Sequence, residues 1–210
     1  FSSRYWQSNN QVIGQESGRG TTWFVQHGNA QLVLRHYLRG GMMRHISHDR
    51  YAFNGYQKTR SVAEFNILNT LLEKQLPVPK PAAAQVIIHG LFYEADLLTH
   101  KIPDAQDLIQ VLKQPKTASF YQQLGHVIAR FHAEGVYHAD LNIQNILQDN
   151  NGTFWLIDFD RAQILAPQKK GQLSTLARLK RSFEKEKERF GIRWSIKDWD
   201  SLMQGYQNHT

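Results

Sequence analysis

Between Val136 and Asp160 the chain reads "VYHADLNIQNILQDNNGTFWLIDFD", and this stretch constrains the fold more than any other. Asn151-Gly152 is a strong signal for a two-residue turn of type I′, whose central positions both need positive φ. With that turn as centre, Asn150 faces Thr153 and Asn145 faces Asp158. Opposed residues in a hairpin stand about 4.5–5.5 Å apart at Cβ. An amide oxygen and a carboxylate at that separation can share one hard divalent cation. Asp140 lies just upstream, in the loop that leads into the hairpin. Singly, Asp140 and Asn142 read as turn caps and Asn145 as a strand end. Together, in matched register, they read as one polar site.

The flanking sequence supplies a frame. "QVIGQESGRGTTWFVQHGNAQLVLRHYL" alternates β-rich runs with glycine clusters at hairpin spacing. In "TRSVAEFNILNTLLEKQ", Val62, Phe65, Leu68 and Leu72 recur at helical spacing, and Pro77 and Pro79 close the segment. "AAAQVIIHGLFYEADLLTH" reads as two strands about a His-Gly turn. Beyond it, Asp104 is placed to cap a short helix. "FYQQLGHVIARFHAEG" sets Phe120, Leu124, Val127, Ile128 and Phe131 on one helical face, with Gly135 to end it. The chain after Asp160 reads mostly as helix. The expected class is therefore α+β in two lobes: residues 1–99, mostly β with one main helix, and residues 100–210, mostly α around the hairpin. Ligands favour clefts between such lobes.

Composition narrows the partners. The longest apolar-rich run, "AAAQVII", is far short of the ~20 residues of a transmembrane helix. No charged segment followed by an apolar stretch opens the chain, so no signal peptide is expected; a start at Phe1 rather than Met leads us to expect a preceding segment. The absence of cysteine excludes disulfides and thiolate chemistry. A net charge of +7 suits an anionic partner and equally a basic protein kept soluble by its charge. Aromatic and basic residues do not alternate in a stacking pattern, so nucleic acid is not expected.

The hairpin and its loop resemble the catalytic core of protein kinases. "HADLNIQN" is similar to H-R-D-L-x-x-x-N, and "DFD" to D-F-G. The resemblance implies a two-lobed protein-kinase-like fold, with ATP as co-substrate. It implies that Asp140 is the catalytic base and that Asn145 and Asp158 hold Mg²⁺ on the ATP phosphates. His138 would then support the loop through a backbone hydrogen bond. Gly14, Gly18 and Gly20 resemble a glycine-rich loop over the phosphates. Arg35 stands where kinases carry lysine; arginine keeps the charge and can hold phosphate bidentately. Glu64 is similar to the helix glutamate that pairs with that cation. Two departures point to small acceptors rather than polypeptides. No A-P-E motif follows "DFD", and Asn142 replaces the lysine of serine/threonine kinases.

Over most of its length the chain resembles the 3-deoxy-D-manno-octulosonic acid (Kdo) kinase family of lipopolysaccharide core kinases. The resemblance runs through "GRGTTWF", "LRHYLRGG", "DRY", "TRSVAEF", "LPVPKP", "ADLLT", "HADLN", "IDFDRA" and "LARLKRSFEKE". It implies phosphorylation of the 4-hydroxyl of Kdo on a lipid A precursor. The protein would be peripheral, on the cytoplasmic side of the inner membrane. An anionic membrane surface would suit the positive charge, with Arg35, Arg39 and Arg44 around a Gly-Gly turn and Arg178, Lys180 and Arg181 on a late helix. That helix reads equally as a solvated face whose Leu176, Leu179 and Phe183 meet the core. Asp160 and Arg161 are further candidates to touch the acceptor. Three other readings remain open on sequence: a RIO-type protein kinase, an aminoglycoside phosphotransferase, and a non-catalytic pseudokinase on an anionic membrane.

Overall fold

The computed structural model describes residues 1–17, 21–38, 49–166 and 168–208. The expected loop residues Gly18 and Gly20, and the basic residues Arg39 and Arg44, lie outside them. The chain divides into two compact units: Phe1–Thr70 with Pro79–Lys101, and Leu71–Val78 with Ile102–Thr210. Sheet pairing is antiparallel throughout the described residues.

The first unit is built on one sheet. Strands β1 (Val12–Ser17), β2 (Thr21–His27) and β3 (Ala30–His36) pair in order, and β3 pairs with β6 (Phe92–His100). β6 also pairs with β4 (Tyr51–Ala52) and, through a turn with Gly90 at φ +61°, with β5 (Pro81–His89). A helix that the sequence pattern did not announce, α1 (Ser3–Ser8), is capped by the Ser2 hydroxyl and buries Trp6. Trp6 joins Val25, Leu32, Leu34 and Leu98 in an apolar core.

Helix α2 (Arg60–Glu73) forms where the apolar spacing placed it, but its buried face is turned by one position. Ser61, Glu64, Leu68 and Leu71 are buried, whereas Val62, Phe65 and Leu72 are only partly so. The cause is polar. Ser61 Oγ donates to Gln85 O of β5 (2.9 Å), Arg60 N donates to Tyr93 OH of β6 (3.0 Å), and Glu64 meets a cation on β3. A hydrophobic count alone cannot see those bonds.

In the second unit, α3 (Leu108–Val111) is capped by Asp107, whose carboxylate accepts from Gln110 N (3.0 Å). Asp104, expected in that role, instead occupies a turn at φ +53°. A three-stranded sheet orders β10 (Phe154–Leu156), β9 (Ile146–Gln148) and β7 (Gln106–Asp107), and β8 (Val136–Tyr137) pairs with β11 (Gln163–Ile164). Helix α4 (Ala118–Ala133) buries Phe120, Leu124, Ile128 and Phe131, and Gly135 follows its end at φ +71°. It packs backbone to backbone on α6 (Ile196–Gln207). A Cβ on Gly125 would lie 2.0 Å from Leu202 O, and one on Gly205 2.0 Å from Gln122 O. Only glycine permits that approach.

Helix α5 (Lys169–Phe190) buries Leu176, Leu179 and Phe183. A neutral network ties it to α4 and α6. Tyr206 OH donates to His132 Nδ1 (2.8 Å), and His132 Nε2–H donates to Thr175 Oγ1 (2.8 Å), whose own hydrogen goes to Gln172 O (2.8 Å). Burial pushes the His132 pKa down to about 4. With both ring nitrogens engaged, the neutral imidazole is the form this core accepts.

Candidate active site

In the second unit the loop from His138 to Asn145 is held by a set of hydrogen bonds between its side chains and its backbone. His138 is buried; its Nε2–H donates to Ile157 O (2.9 Å) and its Nδ1 accepts from Asp140 N (3.2 Å). It thus makes the backbone contacts expected of it. Phe159, fully buried, packs on the His138 ring (centroids 4.9 Å) and on Phe131 of α4 (6.0 Å). Asn142 Oδ1 accepts from Gln144 N (2.9 Å) and Asn145 N (3.2 Å). The amide nitrogens of Asn142 and Asn145 both donate to Asp140 O, each at 3.0 Å. The backbone of Asp140 is fixed, while its side chain remains 47% exposed. A rigid loop that presents an open carboxylate is what a positioned proton acceptor needs.

The hairpin itself differs from expectation by one residue. The observed pairs are Phe154 with Gln148, Trp155 with Leu147 and Leu156 with Ile146. Asn145 therefore stands across from Ile157, whose N–H donates to Asn145 O (3.0 Å), and Asp158 is the next residue on. The turn has three residues rather than two. Gly152 has φ +82°, but Asn151 is not in the positive-φ region that a type I′ turn requires. Asp149 organises the turn: its Oδ1 accepts from Asn151 N and Thr153 N (2.9 Å each), and its Oδ2 from Trp155 Nε1 (2.9 Å). These bonds hold its carboxyl below the usual carboxylate range against a desolvation that pushes the other way. The shift by one residue leaves Asp158 just beyond the ladder, at φ +63°, immediately before a turn closed by Ala162 N donating to Phe159 O (2.9 Å). Left-handed backbone at a non-glycine residue is costly and concentrates at functional positions. Arg161, at the far side of this turn, shares that conformation.

The first unit holds a second polar cluster. Arg35 lies on β3, and its guanidinium meets the Glu64 carboxylate of α2. Tyr37 completes a triangle that the sequence did not announce. Its hydroxyl accepts from Arg35 Nη2 (3.1 Å) and donates to Glu64 Oε2 (2.5 Å). Burial pushes the Tyr37 pKa well up, with Arg35 opposing and Glu64 adding to the rise, so the phenol keeps its proton. Its only sequence signal is the two-residue spacing from Arg35, which puts both on one face of a strand. Glu64 is 3% exposed, a buried partner of Arg35 rather than a solvent-facing helix glutamate. Gly14 sits in β1 beside an irregularity in its pairing with β2, where a Cβ would come 3.4 Å from the Phe24 ring.

Residues 3–206 match the model of the lipopolysaccharide kinase (Kdo/WaaP) family. The chain belongs to that family. It is 46% identical over 209 residues to a 3-deoxy-D-manno-octulosonic acid kinase of Vibrio vulnificus, covering 99% of this chain and 88% of that one. The kinase of the same name from Vibrio cholerae is 48% identical over 195 residues (91% and 82% covered). That from Mannheimia succiniciproducens is 47% identical over 219 residues (99% and 90%). For a member of the Kdo/WaaP family, the fixed loop around Asp140 and the Arg35–Tyr37–Glu64 triangle are the constellations to weigh against a kinase reaction.

Proposed function

We propose that this protein transfers the γ-phosphoryl group of ATP to the 4-hydroxyl of Kdo on a lipid A precursor. The observation that carries the reading is the loop at Asp140: a half-exposed carboxylate on a backbone locked by His138, Asn142 and Asn145, in a chain 46% identical to a Kdo kinase. The finer reading of the fold is the two-lobed kinase-like one, with the lobe boundary near His100.

Asp140 orients the acceptor hydroxyl and takes its proton as the new bond to phosphorus forms; the bond to the leaving oxygen of ADP breaks. Arg35, held by Glu64 and Tyr37, grips phosphate oxygens through its planar fork. Gly14 is read as part of a glycine-rich segment for the phosphates, whose Gly18 and Gly20 lie outside the described residues. Asn145 and Asp158 are the residues that would hold Mg²⁺. Their donor set fits a hard cation: Asn145 spends its amide nitrogen on Asp140 O, which leaves its oxygen for a metal, and Asp158 adds a carboxylate. Bound there, the ion would neutralise phosphate charge.

Among the described residues no helix is long and apolar enough to cross a membrane. Our reading is a peripheral protein at the cytoplasmic face of the inner membrane, drawn by its charge to an anionic surface. The test offers ATP with labelled γ-phosphate and Mg²⁺ alongside a Kdo-bearing lipid A precursor, a protein substrate and an aminoglycoside. Label is expected on the Kdo acceptor alone. Label on either of the others, or on none, contradicts the reading.

A further inference from the structure

The segment His138–Asn145 contains neither lysine nor arginine. Asn142, at the position where serine/threonine kinases carry lysine, has its oxygen and its nitrogen committed to the loop backbone. The cation beside Asp140 comes instead from α5. Arg178 Nη1 stands 3.6 Å from Asp140 Oδ1.

Two contacts fix α5 against the loop on either side of Arg178. Gly171 lies on the Tyr137 ring so closely that a Cβ would fall 2.2 Å from Tyr137 Cε1. Ser182 Oγ accepts from Ile143 N (3.1 Å). Residues 171, 178 and 182 follow helical spacing on one face, so Arg178 is aimed at the loop rather than swept past it. Yet the pair is not a closed salt bridge. At 3.6 Å it exceeds hydrogen-bond length, and the side chains are 49% and 47% exposed. A half-exposed pair of this kind adds little stability. Its guanidinium stands beside the carboxylate that an acceptor hydroxyl must reach.

We infer that Arg178 binds the carboxylate of the acceptor sugar while the sugar's hydroxyl lies at Asp140. The inference rests on the Kdo kinase reading above. A sugar acid carries its carboxylate only a few bonds from its ring hydroxyls. A hydroxyl bonded to Asp140 therefore brings a carboxylate within reach of a guanidinium that is itself beside Asp140. The guanidinium fork matches a carboxylate bidentately. Neutral sugars would leave it unpaired, which makes Arg178 a residue of specificity.

The test pairs two enzymes with two acceptors: wild type and Arg178→Ala, each with the intact Kdo-bearing lipid A precursor and with one whose Kdo carboxylate is reduced to an alcohol. With the intact acceptor, Arg178→Ala should raise the acceptor KM about ten- to hundred-fold, the range for a hydrogen bond to a charged group, and leave the ATP KM unchanged. Wild type should lose the same factor when the carboxylate is reduced, and the variant should lose nothing further. Arg178→Lys should recover part of the loss. Arg189→Ala, which removes an equal charge at the C-terminal end of α5, should leave both constants unchanged. Equal loss on both acceptors, a raised ATP KM or no change in Arg178→Ala overturns the inference. A wild-type enzyme inactive on the intact acceptor overturns the Kdo reading itself.

Discussion

The Tyr37 hydroxyl donates a 2.5 Å hydrogen bond to the same Glu64 oxygen that the Arg35 guanidinium meets. Side chains from β3, from the residue that follows it and from α2 thus satisfy one another where Glu64 is almost wholly buried. Such a triangle asks for a planar cation with several directed donors.

Arg35→Lys should therefore impair catalysis, although it restores the common kinase residue. A lysine ammonium is one compact charge and cannot keep Tyr37, Glu64 and phosphate in the same geometry. The expected signature is a raised ATP KM. Arg35→Ala should also lose about 3 kcal/mol or more of stability, because it strands a buried carboxylate. Glu64→Gln should share part of the defect, and the double variant should cost less than the sum. Steady-state kinetics and chemical denaturation check this; a lysine variant as active as wild type contradicts it.

Asp158→Asn should abolish Mg²⁺-dependent nucleotide binding while the fold survives. Asparagine tolerates the left-handed backbone that Asp158 adopts at φ +63°, so the substitution removes charge without adding strain. Calorimetry with ATP, with and without Mg²⁺, is the measurement. Unchanged metal–nucleotide affinity would remove Asp158 and the turn beyond the hairpin from the metal site.

Acid should weaken the second unit through His132. A His whose folded pKa is lowered binds its proton more readily when unfolded, so its contribution is complete above pH 6.5 and declines toward its folded value of about 4. At ~1.4 kcal/mol per pH unit, the loss between pH 7.5 and pH 5 is about 2 kcal/mol. His36 acts in the opposite sense. Its hydrogen bond to Asp96 holds its pKa above 6.5, so its contribution is present below pH 6.5 and is lost as pH rises through the folded value. Denaturation of wild type and His132→Gln at both pH values separates the two. The variant, less stable at pH 7.5, should lose about 2 kcal/mol less than wild type on acidification; parallel losses contradict the assignment.

Much of this was legible in the sequence because it rests on local chemistry. The order of β1–β3, the α2 segment, the β5–β6 turn at Gly90 and the end of α4 at Gly135 follow from glycine positions and apolar periods. What escaped depended on side chains bonding at a distance. The hairpin register moved by one because Asp149 gathers Asn151 N, Thr153 N and Trp155 Nε1 into a three-residue turn. The α2 face turned because Arg35 and Tyr37 draw Glu64 inward. His132 has no pattern around it; its partners Thr175 and Tyr206 lie 43 and 74 residues away. At the candidate site, Asp140, Asn142 and Asn145 stood out as a polar cluster, while Tyr37 and the approach of Arg178 to Asp140 needed three dimensions.

The central claim is that Asp140 is the base for phosphoryl transfer to Kdo. Single-turnover transfer from ATP to a Kdo-bearing lipid A precursor, by wild type and by Asp140→Asn, tests it most directly. The asparagine keeps the side-chain shape, and the backbone bonds from His138, Asn142 and Asn145 do not depend on its charge. Transfer should fall by about two orders of magnitude or more while nucleotide affinity stays within about twofold of wild type. Transfer at the wild-type rate would contradict the account.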